Sequence, residues 1–67
     1  MKVYIAGAYA SGAAWCAYYR KQGRYCFDFV RSKEDASELT EEEAGRVLAA
    51  GDYYLKMYGA REIGAEQ

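Results

Sequence analysis

Two short segments, Ala10-Ser11-Gly12 and Lys21-Gln22-Gly23, each end in glycine and stand eleven residues apart, with aromatic-rich, β-prone stretches around them. Two residues near the right-handed helical region followed by a glycine at positive φ make the common three-residue hairpin loop with a G1 bulge. A pair of such loops predicts a three-stranded antiparallel meander over residues 1–30 and sets its pairing. The first loop places Tyr9 opposite Ala13, Ile5 opposite Ala17 and Val3 opposite Tyr19. The second places Arg20 opposite Arg24, Tyr19 opposite Tyr25, Ala17 opposite Phe27 and Trp15 opposite Phe29.

With these pairings the strands sort into two faces. One carries Val3, Ile5, Gly7 and Ala17 with the aromatics Trp15, Tyr19, Tyr25, Phe27 and Phe29; the other carries Lys2, Tyr4, Ala6, Cys16, Tyr18, Arg20, Arg24, Cys26 and Asp28. Half-buried strands alternate in this way, and a one-residue slip in either hairpin would mix the two sets. Gly7 falls opposite Trp15, which predicts an indole lying over bare backbone.

Gly7 and Gly12 also have the glycine spacing of a phosphate-binding loop. That loop needs a Lys for the β- and γ-phosphates and a Ser or Thr for the metal directly after its last glycine. Ala13 and Ala14 stand there, and the following AAWCAYYR reads as a strand rather than a helix. The opening MKVYIAGAY resembles the first strand of nucleoside deoxyribosyltransferase-like α/β proteins. That resemblance implies a doubly wound sheet, for which 67 residues are too few. The glycines are turn and packing residues.

After Val30 the period changes. LTEEEAGRVLAAGDYYLKMYG has apolar or small residues at 44, 47, 48, 51, 54, 55 and 58, the stripe of an amphipathic helix. Thr40 and Glu43 form a capping box, Leu39 and Ala44 a hydrophobic staple, and Glu41, Glu42 and Glu43 favour the helix dipole. Gly59 suits the position after the last turn. The helix is expected over 40–59. A connection over 31–39 precedes it, with one helical turn capped by Ser32 and Asp35. A fraying tail over 60–67 follows, with Ile63 docked. ASELTEEEA resembles the strand-to-helix connection of small phage-encoded proteins. The expected fold is α+β, a single small domain of β-β-β-α order. Trp15, Tyr19, Phe27 and Phe29 are buried under Val47, Leu48, Gly51 and Leu55, and Gly51 admits the sheet's aromatics.

A chain of 67 residues buries only about 60% of its unfolded surface, so the core is small. It has no His, which removes the commonest general base and the commonest metal ligand at neutral pH. Cys16 and Cys26 are offset across the predicted sheet and lack an activating base or co-ligands, so no catalytic residue, metal or cofactor is expected. No stretch reaches the ~20 apolar residues of a membrane span, and the cysteine usage fits a reducing cytoplasm. Charge is segregated. Residues 1–31 carry +4, from Lys2, Arg20, Lys21, Arg24 and Arg31 against Asp28, while residues 32–67 carry −5. Such asymmetry speaks about partners.

The acidic set Glu34, Asp35, Glu38, Glu41, Glu42 and Glu43 is the densest candidate site. Clustered carboxylates present a phosphate-like surface to a basic groove and direct association with it. In size, acidic clustering and sheet-plus-helix build, the chain resembles the small phage-encoded inhibitors of bacterial defence, the anti-CRISPR proteins. The resemblance implies a non-enzymatic protein that blocks a nucleic-acid-binding effector complex in the host cytoplasm, as a monomer or weak dimer. The alternatives are a structural subunit of a larger assembly, or an RNA- or single-stranded-DNA-binding sheet. In the latter, Tyr4 and Tyr18 would stack bases and Arg20 and Arg24 hold phosphates.

Overall fold

The computed structural model describes residues 1–67. Strands β1 (Lys2–Ala8), β2 (Ala14–Lys21) and β3 (Phe27–Val30) lead to a single 3-10 turn at Lys33–Asp35. Helices α1 (Glu41–Ala49) and α2 (Gly51–Tyr58) and a fourth strand, β4 (Glu62–Glu66), complete the chain. The fold is α+β, with one antiparallel sheet in the order β3-β2-β1-β4.

The first hairpin has the expected register, with Ile5 opposite Ala17 and Gly7 opposite Trp15. The Tyr9 N–H donates to the Ala13 carbonyl at 2.8 Å, and Gly12 closes the loop at φ +93°. The Trp15 indole lies over Gly7 so closely that a Cβ there would sit 2.9 Å from its Cζ2.

The second hairpin differs from the expectation. Tyr19 pairs with Phe29 and Arg20 with Asp28, so each partner lies four residues further along than Tyr25 and Arg24. The loop runs Gln22–Cys26, closed by the Gln22 N–H on the Cys26 carbonyl at 2.7 Å, with Gly23 inside it at φ +106°. The longer loop removes the repulsion of facing Arg20 and Arg24 and sets Arg20 against a carboxylate. It leaves Tyr25 86% exposed and stacks Tyr19 on Phe27, ring centroids 5.6 Å apart. An even shift preserves the faces, so Phe27 and Phe29 still point to the helix side.

The expected single helix is broken at Ala50 (φ −93°, ψ +18°), whose N–H is shared between the carbonyls of Arg46 and Val47. The break falls just before Gly51, in keeping with the usual role of glycine in kinks. Against Gly51 lies Ile63 of β4, not the sheet's aromatics: a Cβ there would be 3.1 Å from Ile63 Cγ2. The buried helix positions are Ala44, Val47, Gly51 and Tyr54, a three-four-three spacing that turns Leu48 outward, 37% exposed. Val3, Leu39, Ala44, Val47 and Tyr54 form the core, with Tyr19, Phe27, Phe29 and Ile63 packed against it. Trp15 is half-buried and faces a groove at the sheet's end.

At α1 the capping box is complete. Thr40 N–H donates to Glu43 Oε1 at 3.0 Å, and Glu43 N–H to Thr40 Oγ1 at 3.1 Å. Gly59 ends α2 at φ +66°. The 3-10 turn forms where expected, but Ser32 does not cap it; its hydroxyl donates to Glu34 instead. The tail expected to fray is β4, antiparallel to β1, with Ile63 docked opposite Ile5. Gly64 faces Tyr4 across that pairing, where a Cβ would lie 2.7 Å from the Tyr4 hydroxyl.

Candidate functional site

The acidic residues gather around the 3-10 turn and the start of α1, and the fold divides them. Glu38 pairs with the Met1 amine, which holds its carboxyl below the usual range. Glu42 pairs with Arg46 one turn on, at 2.7 Å. Glu43 is drawn inward: the Thr40 backbone N–H first, then Lys21 at 3.1 Å, hold its pKa down at about 2. Glu34, Asp35 and Glu41 are exposed and have no basic partner. Part of the charge segregation read along the chain is thus spent internally, since Lys21 and the amine at the basic end meet Glu43 and Glu38 from the acidic one.

A cleft of 240 Å³ lies between this helix start and the β2–β3 loop, with Lys21, Arg24 and Arg46 around Glu43. The loop that was expected to be a tight turn therefore carries its arginine to the cleft that holds Glu43. Arg24 also stacks on Tyr25, 5.7 Å from the ring centroid.

The outer sheet face brings Tyr4 and Tyr18 together, opposite one another and 6.5 Å apart. Arg20 on that face is held by Asp28 through two hydrogen bonds, and Arg24 is not on the face but in the loop. The chain between β3 and α1 crosses over this face. Lys2 Nζ donates to the Lys33 carbonyl at 2.8 Å, and Lys33 Nζ lies 2.9 Å from Glu66 Oε1. Both tyrosines are half-buried. The adjacent Cys16 thiol, then burial, then Glu66 push the Tyr18 pKa up to about 12. Cys16 is half-buried, Cys26 is exposed in the loop, and both are free thiols. No group of three or more His, Cys, Asp or Glu side chains gathers as a metal cradle. No helix is long and apolar enough to cross a membrane.

A second concavity was not anticipated from the sequence. It is a groove of 390 Å³ at the end of the sheet, walled by Tyr9, Trp15, Phe29 and Tyr58, with Ala17 below and Arg31 at its rim. Tyr58 reaches it because Gly59 stops α2 there, and its ring packs on Phe29 at 4.9 Å. Arg31 lies over Tyr9, 5.8 Å from the centroid, and donates to its hydroxyl at 2.5 Å. The Trp15–Gly7 pairing was the one trace of this groove legible beforehand. The other walls come from separate elements.

No family model matches the chain, and neither does any curated protein or solved structure.

Proposed function

We propose that this chain is a non-enzymatic protein-binding module that blocks a nucleic-acid-binding effector complex of a bacterial defence system, in the manner of anti-CRISPR inhibitors, through its acidic rim. The observation that carries the reading is that Glu34, Asp35 and Glu41 remain exposed without basic partners while Glu38, Glu42 and Glu43 are paired. Free carboxylates on the 3-10 turn and at the start of α1 offer a basic groove negative charge of the kind it meets on a nucleic acid backbone, which speeds and orients association. A binding role rather than acid–base catalysis is supported by the carboxylates' chemistry. Asp28, Glu38 and Glu43 are each held below the ordinary range by cationic or N–H partners, the opposite of what a general acid at neutral pH needs.

The test replaces Glu34, Asp35 and Glu41 by Lys together, leaving the cap and the Met1 anchor intact. Circular dichroism should change little: Glu34 and Asp35 lie on the surface, where substitutions usually stay within about 0.5 kcal/mol, and reversing the Glu41 charge in the first turn of α1 costs about 1 kcal/mol. Tagged wild-type protein should capture a nucleic-acid-binding complex in fixed ratio from bacteria that carry such a defence system. The triple variant should not, and raised salt should weaken the wild-type capture. Undiminished capture by the triple variant overturns the acidic-rim reading. Tight binding of the purified protein to single-stranded oligonucleotides, lost on Tyr18→Ala, would favour the sheet-face alternative.

A further inference from the structure

We propose that the groove walled by Tyr9, Trp15, Phe29 and Tyr58 is a binding site for a small aromatic carboxylate, with Arg31 as the group that receives the anion. This site is separate from the acidic rim and does not depend on the function proposed above.

Three observations converge on it. The walls are aromatic and come from β2, β3, α2 and the loop after β1, so a planar ring entering the open groove meets several aromatic side chains rather than one flat surface. The volume, 390 Å³, falls within the range of small-molecule sites. The walls are also held in place. Gly7 leaves the Trp15 indole seated on backbone, and Tyr58 is packed edge-on against Phe29.

The ligand's charge follows from Arg31. It forms no ion pair, and its one hydrogen bond to a side chain goes to the neutral Tyr9 hydroxyl. The guanidinium has five N–H donors in a fork matched to carboxylate. The carboxyl end of α2 also reaches the groove at Gly59 and brings about half a negative charge, which opposes an anion. Arg31 brings a full positive charge and outweighs it. A ring carrying a cation would meet Arg31 unfavourably even though the aromatic walls suit one. An anion without a ring would leave the walls unfilled.

Trp15 is the chain's single tryptophan and stands in the wall, so its emission and its indole N–H resonance report directly on the groove. Phenylacetate, phenethylamine and acetate are titrated into the whole protein. Phenylacetate should give a saturable change in Trp15 emission with a matching shift of the indole N–H signal. Its affinity should exceed that of phenethylamine by ~10-fold or more, the effect of one charge-assisted hydrogen bond. Acetate should give no saturable change. Arg31→Gln, an exposed position, should retain the circular dichroism and abolish the preference for the anion. Tyr58→Ala should weaken both aromatic probes together. Absence of saturation with phenylacetate, tighter binding of phenethylamine, or an unchanged preference in Arg31→Gln each overturns the proposal.

Discussion

Arg20 on β2 and Asp28 on β3 face each other directly, Nε donating to Oδ1 at 2.9 Å and Nη2 to Oδ2 at 2.6 Å. Gln22 adds a third hydrogen bond to the same carboxylate at 2.8 Å. The shorter hairpin that Lys21-Gln22-Gly23 invites would set Arg20 against Arg24 and leave Asp28 opposite Cys16. Like charges directly opposed on a sheet destabilise it, and opposite charges stabilise it. The pair therefore selects between two registers that bury the same face.

Asp28→Arg should lower the urea midpoint, and Arg20→Asp combined with Asp28→Arg should restore most of the loss. Through-space contacts between Tyr19 and Phe29 in the double variant would report the native register. An unchanged midpoint in Asp28→Arg would remove this pair from the account of the hairpin.

Phe27 stacks on Tyr19 and meets Tyr54 edge-on at 5.2 Å and Phe29 at 6.2 Å. Its ring is half-buried rather than enclosed, so Phe27→Ala should cost about 3 kcal/mol, the low end for losing a large aromatic from a core. In a domain of this size that is a large share of the stability. Chemical denaturation measures it, and a loss below about 1 kcal/mol would show that this aromatic group does not hold the sheet to the helices.

What the sequence disclosed was the part governed by local chemistry. Gly12 closes a loop whose length leaves one pairing for the first hairpin, and Thr40 with Glu43 marks the start of α1 through bonds spanning three residues. Gly23 looks the same as Gly12 in sequence, yet it lies inside a longer loop. The difference comes from the Arg20–Asp28 pair and from Phe29 reaching Tyr19, contacts that no loop motif encodes. Because the shift is even, Phe27 and Phe29 were still read on the helix side, whereas Tyr25, expected there too, lies exposed in the loop. Strand β4 was missed because it is short, contains Gly64 and has charged ends. Its place is set by Tyr4 needing a bare Cα opposite and by Ile63 filling the space beside Gly51. The acidic run was visible as composition, but its division into paired and free carboxylates depends on Lys21 and Met1 arriving from the far end of the chain. The aromatic groove, assembled from two strands, a helix and a loop, has no signature along the sequence.

Gly7→Ala probes the closest approach in the sheet. A Cβ there would meet Trp15 Cζ2 at 2.9 Å, Cε2 at 3.0 Å and Nε1 at 3.1 Å, so the indole must lift from the strand. The expected cost is about 1–3 kcal/mol, as for other overpacked sites. The emission of Trp15 should shift to the red as the ring becomes more exposed. Unchanged stability together with unchanged emission would mean that the indole does not rest on Gly7 in solution.

Stability should fall at both ends of the pH scale, for different groups. The Glu43 pKa is lowered from 4.5 to about 2, first by the Thr40 backbone N–H and then by Lys21. A lowered carboxyl stabilises the fold above its unfolded value, so this contribution is complete above pH 4.5 and disappears as pH falls toward 2. Asp28 beside Arg20 and Glu38 beside the Met1 amine act in the same direction. Tyr18 is raised from 10.0 to about 12, so its contribution is complete below pH 10 and disappears as pH climbs through 12. Burial raises Tyr19, Tyr54 and Tyr58 as well, which adds to the alkaline loss. Urea midpoints of the wild type should drop between pH 4.5 and 2. Those of Glu43→Gln should start lower at neutral pH and change less over that interval. Phenolate absorbance should show Tyr18 ionising near pH 12, and Cys16→Ala should bring it down, because the neighbouring thiol is the largest cause of its shift. An acid limb equally steep in Glu43→Gln would place the acid sensitivity elsewhere than the cap. An unmoved Tyr18 in Cys16→Ala would break the link between those two side chains on the outer face.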